Sequence, residues 1–130
     1  MIAMFPGKFQ PPHLGHILTI LRVKKEFQKV IICLTTDGPD FMDRNEAACM
    51  LHEVFKYPDF DIITIQGRLL DKSKGEIEDI FKGTPFDVIV SGNQEVIDWA
   101  LKTGFAARFF PRAEGPGFSG TEIRELRRNF

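Results

Sequence analysis

A chain of 130 residues with 43% hydrophobic and 27% charged side chains and a formal net charge of −1 holds enough apolar material for one globular core. Its near-neutral charge excludes a broad nucleic-acid-binding surface, no apolar run is long enough to span a bilayer, and the opening MIAMFPG is too short for a signal peptide. A single cytoplasmic domain over residues 1–130 is therefore expected, with Cys33 and Cys49 as small buried hydrophobes in a reducing compartment.

Residues 1–6 are apolar and read as a buried strand. Ile17, Ile20, Leu21 and Lys24 then recur at helical steps, with Phe27 near the helix end. KVIICLTT, residues 29–36, is the unbroken apolar run of a strand buried on both faces. TDGPDFMD is a loop by its Gly, Pro and Asp content. Asp43 can cap a second helix, with Glu46 three residues on; Ala47, Met50, Leu51 and Val54 keep its period, and Tyr57-Pro58 stops it. FDIITIQG is a third strand. Ser73 can cap a short helix carrying Ile77, Ile80 and Phe81, ended by Gly83. FDVIVSG, residues 86–92, is a fourth strand, residues 94–103 form a helix closed by Gly104, and ARFFP is a short fifth strand. After the loop RAEGPGF and Ser119, TEIRELRR reads as a terminal helix.

Strands and helices thus alternate, five of each, which predicts an α/β, Rossmann-like five-stranded parallel sheet with helices on both faces and right-handed crossovers. Ligands in such sheets bind beyond the carboxyl ends of the strands, where strand order reverses. The positions to weigh are therefore 7–16, 35–43, 67–74, 91–93 and 111–121.

The stretch GKFQPPHLGH, residues 7–16, is hard to explain by packing. Gly7 permits a sharp turn and a close approach to a ligand. Pro11 and Pro12 keep the turn out of a helix, so a helix can start near His13 or Leu14. His13 and His16 then face similar directions near its first turn, with Gly15 leaving room between them. A helix N-terminus attracts anions through free N–H groups, and Lys8 with the two imidazoles completes a phosphate-binding pocket. Zinc would want three or four ligands, and the remaining histidine, His52, lies far off on another helix, so no metal-ligating residues are assigned; histidines as plain helix caps are the structural alternative.

GKFQPPHLGH resembles the G-x-F-x-P-x-H-x-G-H signature of the HxGH nucleotidyltransferase superfamily, which includes nicotinamide mononucleotide adenylyltransferases, pantetheine-phosphate adenylyltransferases and glycerol-phosphate cytidylyltransferases. SGTEIRE, residues 119–125, resembles that superfamily's S-[GST]-T-x-I-[RK] motif, and Asp43-Arg44 is similar to the acidic–arginine pair that often opens its second helix. The resemblance implies transfer of a nucleoside monophosphate from a nucleoside triphosphate to a phosphorylated small-molecule acceptor, releasing pyrophosphate without a covalent enzyme intermediate. It implies catalytic roles for Lys8, His13, His16 and Arg124, with Gly7, Phe9, Gly15, Ser119, Gly120 and Thr121 binding nucleotide. Mg²⁺ is expected as the cofactor, held mainly by the substrate triphosphate and water. The implied partners are the triphosphate and the acceptor, with no nucleic acid and no membrane; a homo-oligomer is compatible, since small members of the superfamily often form dimers or larger assemblies. DKSKG, residues 71–75, is similar to the lysine-rich signature of class I aminoacyl-tRNA synthetases, but it lies too early in the chain and reads as a solvated loop.

The wording of both end motifs is closest to archaeal-type nicotinamide mononucleotide adenylyltransferases, whereas PRAEG, residues 111–115, resembles the R-x-E-G segment of glycerol-phosphate cytidylyltransferases and makes Arg112 a nucleotide contact. ATP is favoured over CTP by a small margin. The base is expected over the late strands, near Ser91 to Asn93 and Arg112 to Gly115. The loop 36–43 carries Asp37, Asp40 and Asp43 and no lysine, which sets it against an anionic acceptor. Trp99 reads as core. A non-catalytic nucleotide-binding module or subunit of the same fold is the alternative to an active transferase.

Overall fold

A computed structural model describes residues 1–9, 14–35 and 44–111. In chain order they form β1 (Ile2–Gly7), α1 (Leu14–Lys24), β2 (Lys29–Leu34), α2 (Arg44–Val54), β3 (Phe60–Thr64), a 3₁₀ turn (Leu69–Asp71), α3 (Lys74–Ile80), β4 (Val88–Ser91), α4 (Gln94–Thr103) and β5 (Ala107–Phe109). The strands make one parallel sheet in the order β3-β2-β1-β4-β5, the Rossmann-like arrangement expected from the alternation. The expected terminal helix lies outside the described residues. No helix among the described residues is long and apolar enough to cross a membrane.

The two faces of the sheet follow the period of two along each strand. Ala3, Phe5, Val30, Ile32, Leu34, Val88 and Val90 pack one face with Ile20 and Val23 of α1 and Ala47 and Leu51 of α2. Met4, Ile31, Cys33 and Ile89 pack the other with Ile77 of α3 and Ala100 of α4. Residues Val30 to Leu34 of β2 are all fully buried, which is why that run does not alternate in sequence. Burial pushes the Cys33 thiol up to about 12, with nearby Lys72 pulling weakly the other way.

Several sequence expectations are corrected here. Cys49 is exposed, not buried: Ala47 and Leu51 point α2 inward, and a residue midway between them in a 3.6-residue turn faces out, as does Met50. Helix α2 stops at Val54, ahead of Tyr57-Pro58, and the chain turns so that the buried rings of Phe55 and Phe60 meet at 4.8 Å. Helix α3 ends at Ile80 rather than at Gly83, and β4 starts at Val88, leaving Phe86 off the sheet against Phe81 and Phe105.

A proline sits inside the central strand. The carbonyls of Met1 and Gly7 accept hydrogen bonds from Gln28 and Thr35 on the β2 side, and the carbonyl of Ile2 accepts one from Asp87 on the β4 side. Even-numbered positions of β1 therefore face β4, and Pro6 has no N–H to offer there. The β1–β2 register runs on through Gly7 and Leu34, but the β1–β4 register ends at Met4 and Ile89. Past that point β1 and β4 part.

Helix α3 begins in a capping box. The Glu76 N–H donates to Ser73 Oγ and the Ser73 N–H donates to Glu76 Oε1, each at 3.2 Å. Hydrogen bonding from the Ser73 backbone and then its hydroxyl holds the Glu76 carboxyl below its usual value. A depressed carboxyl stabilises the fold above its unfolded-state value and loses that contribution as pH falls through the folded-state value. Glu76→Gln should therefore unfold more readily than the native protein at neutral pH, and the difference should shrink in acid, where the native Glu76 is protonated; urea unfolding across the acid range reads this directly, and an equal loss at every pH would remove the carboxylate's charge from the account.

Candidate active site

Beyond the carboxyl ends of the strands, where β1 and β4 part, lies a cleft of about 310 Å³. Pro6, Gly7 and Lys8 line it from the end of β1 and Thr35 from the end of β2. Arg68, Leu69 and Leu70 close it on the β3 side; Ser91, Asn93, Glu95 and Val96 close it on the β4 side. This is the crevice at the reversal of strand order, the usual ligand position in an open α/β sheet.

The floor is built by the chain that leaves β1. Phe9 adopts φ 53, the left-handed region, which costs a non-glycine residue roughly 1 kcal/mol or more. That turn folds its ring back beneath Gly7, where a Cβ would meet Phe9 Cζ at 2.8 Å. Gly7 is therefore required by its own neighbour. The Phe9 ring is 1% exposed and stands edge-on to the His16 imidazole, with centroids 4.8 Å apart and planes at 76°. His16 is half-buried in the first turn of α1, and Thr19 Oγ1 donates to the Gly15 carbonyl at 2.7 Å, bracing the same turn. Gly7, Phe9 and His16 are thus one packed unit at the mouth of the sheet.

The β4 wall is equally fixed. Ser91 is buried, its Oγ accepts from the Asn93 N–H at 3.0 Å, and its carbonyl accepts from the Phe110 N–H at 2.9 Å. Asn93 Oδ1 accepts from the Glu95 N–H at 3.0 Å and caps α4. These bonds set the loop and hold its backbone against the cleft.

Of the site residues expected from sequence, Gly7, Lys8, Ser91 and Asn93 meet on the cleft, His16 joins it through Phe9, and Gly15 lies beside His16 in the first turn of α1. His13, Arg112, Ser119, Gly120, Thr121 and Arg124 lie outside the described residues, as do Asp37, Asp40 and Asp43. Trp99 packs against Phe105 and its Nε1–H donates to the Lys72 carbonyl at 3.3 Å, a core role off the cleft. Lys74 lies over the Phe105 ring at 5.7 Å, and neither it nor Lys72 lines the cleft. Arg68 and Glu95 are cleft residues that sequence reading did not single out; their one signal was position just past a strand end. Among the described residues there is no group of three or more His, Cys, Asp or Glu able to hold a metal ion.

Comparison with known proteins agrees with this geometry. A family model described as cytidylyltransferase-like matches residues 4–53. The chain is 26% identical to a nicotinamide-nucleotide adenylyltransferase of Pyrobaculum neutrophilum over 95% of this chain and 75% of that protein. It is 30% identical to the enzyme of the same name from Sulfurisphaera tokodaii over 97% of this chain and 78% of that one. Among solved structures, a bifunctional NMN adenylyltransferase/ADP ribose pyrophosphatase from Francisella tularensis superposes with a TM-score of 0.72 at 17% identity, over 95% of this chain and 41% of that chain. The same protein complexed with AMP and a manganese ion gives 0.62 at 18% identity, over 95% of this chain and 40% of that chain.

Proposed function

The chain is a nucleotidyltransferase, a member of the HxGH superfamily to which the archaeal nicotinamide-nucleotide adenylyltransferases belong, and from that premise we propose that it transfers AMP from ATP to the phosphate of nicotinamide mononucleotide and releases pyrophosphate. The observation that carries the reading is the packed unit of Gly7, Phe9 and His16 set at the crevice of the sheet, in a chain that matches adenylyltransferases along nearly all its length.

The acceptor phosphate is already ionised, so its oxygen attacks the α-phosphorus as the bond to the β-phosphate breaks, and no general base is needed. What the reaction needs is placement and relief of charge. The triphosphate lies across Gly7 and Lys8, which line the cleft from the end of β1. Lys8 supplies a cation. His16, held edge-on by Phe9, donates to the oxygens that gain charge in the transition state. His13, Ser119, Gly120, Thr121 and Arg124 serve the phosphates, by the two motifs that carry them. The base lies toward Ser91 and Asn93, and Arg112 is a further nucleotide contact by its motif. A divalent ion, Mg²⁺ by expectation, fits as a companion of the triphosphate: Glu95 is the sole carboxylate on the described cleft wall, and phosphate oxygens and water supply the other ligands. When bound it neutralises phosphate charge.

The test is pyrophosphate release with ATP or CTP against nicotinamide mononucleotide, glycerol 3-phosphate and other phosphorylated alcohols and sugars. ATP with nicotinamide mononucleotide should turn over at least about tenfold faster than any CTP pair, the margin one mismatched hydrogen-bonding edge supports. Tenfold tighter CTP binding, abolished by Arg112→Ala, would reverse the base assignment. Triphosphate binding with no pyrophosphate from any pair would favour the non-catalytic module instead.

A further inference from the structure

We propose that Arg68 is the residue that takes the acceptor's phosphomonoester, a role that rests on the transferase reading above. The sheet order sorts the cleft. The β4 side carries the neutral, hydrogen-bonding Ser91 and Asn93 and belongs to the base; the β1 end carries Gly7 and Lys8 and belongs to the triphosphate. The acceptor must then approach from the β2–β3 side. Its nearest loop in sequence, 36–43, offers three aspartates and no lysine or arginine, so a cation for an anionic acceptor has to come from elsewhere.

Arg68, which follows β3 in the chain, is with Lys8 one of the two cations that the described residues place on the cleft wall. Its backbone is held at both ends. Gly67 turns the chain at φ 79 just before it, and the Arg68 carbonyl accepts from the Asp71 N–H at 3.2 Å just after it. Leu69, next in the chain, is buried and anchors the turn in the core beneath α3. Arg68 is exposed, and among the described residues it makes no ion pair within 4 Å. An arginine fixed at its root on the wall of a cleft suits a dianionic phosphate, which its planar fork can grip with paired N–H donors.

Calorimetry on the full chain tests this with the α,β-methylene analogue of ATP filling the nucleotide subsite, so that no transfer occurs. The probes are nicotinamide mononucleotide and glycerol 3-phosphate, two phosphomonoesters with unlike bodies, and nicotinamide riboside, which lacks the phosphate. Arg68→Ala should weaken whichever phosphomonoester the native protein binds by about tenfold or more, the usual loss for a charge-assisted pair. Arg68→Lys should restore part of it. Nicotinamide riboside binding, binding of the ATP analogue and the melting temperature should not move. Unchanged phosphomonoester binding in Arg68→Ala, no such binding in the native protein, or an equal loss for the ATP analogue would each overturn the assignment. Arg68-dependent binding without turnover would instead sink the transfer reading and leave this one standing.

Discussion

Replacing His16 with alanine should lower kcat by about a hundredfold or more while leaving ATP affinity within about threefold. A donor aimed at charge that develops only in the transition state contributes roughly 3 kcal/mol there and little to ground-state binding. The imidazole is placed for that work by packing: its ring meets the edge of Phe9, and the turn beneath it is braced by the bond from Thr19 to the Gly15 carbonyl. His16→Asn keeps a donor on a shorter stem and should fall between the two. Steady-state rates with ATP and nicotinamide mononucleotide, alongside ATP titration, separate the effects. Near-native turnover in His16→Ala would remove this histidine from the chemistry, and a loss confined to KM would make it a ground-state contact.

Phe9→Ala should be the most damaging single change to the fold around the site. The ring is 1% exposed, touches His16 and packs with Phe5 at 6.2 Å. Removing a buried phenyl costs about 3 to 5 kcal/mol through lost burial and the cavity left behind. For a domain of this size that lowers Tm by roughly 10 °C or more. Alanine would also remain at a positive φ, so the backbone cost stays while the packing that offsets it is gone. Phe9→Leu should recover part of the loss by refilling the volume. The kcat of Phe9→Ala should fall too, measured well below its Tm, because His16 loses the surface that orients it. A melting temperature within a degree or two of native would mean that the turn is held by other contacts.

Much of this was readable in the residues. Alternation of apolar strands with 3.6-residue periods gave the parallel sheet, because buried parallel strands leave unbroken apolar runs such as that of β2. Local capping chemistry placed α3 behind Ser73 and closed α4 at Gly104. What local pattern could not reach was decided by contacts distant in sequence or by rare backbone states. Cys49 and Met50 sit in an apolar-looking stretch, but one turn of helix cannot bury every side chain it carries. The 3₁₀ turn of Leu69–Asp71 is too short to have a period, so nothing singled out Arg68 within residues 67–74. The left-handed turn at Phe9 had no local signal, since phenylalanine rarely adopts it. Gly7 was expected to admit a ligand; that it must also admit a phenyl ring from two residues on follows only from that turn.

Pro6 decides where the protein can hold anything at all. A sheet closes like a zipper, and the next tooth between its two central strands would be a proton on the nitrogen at position 6, which an imino acid lacks. The opening is therefore written into the main chain, upstream of every side chain that works inside it. Lys8 and Arg68 can be exchanged without restoring that bond, so the cations that meet a substrate are free to vary over an opening that strand order and a single missing hydrogen fix together.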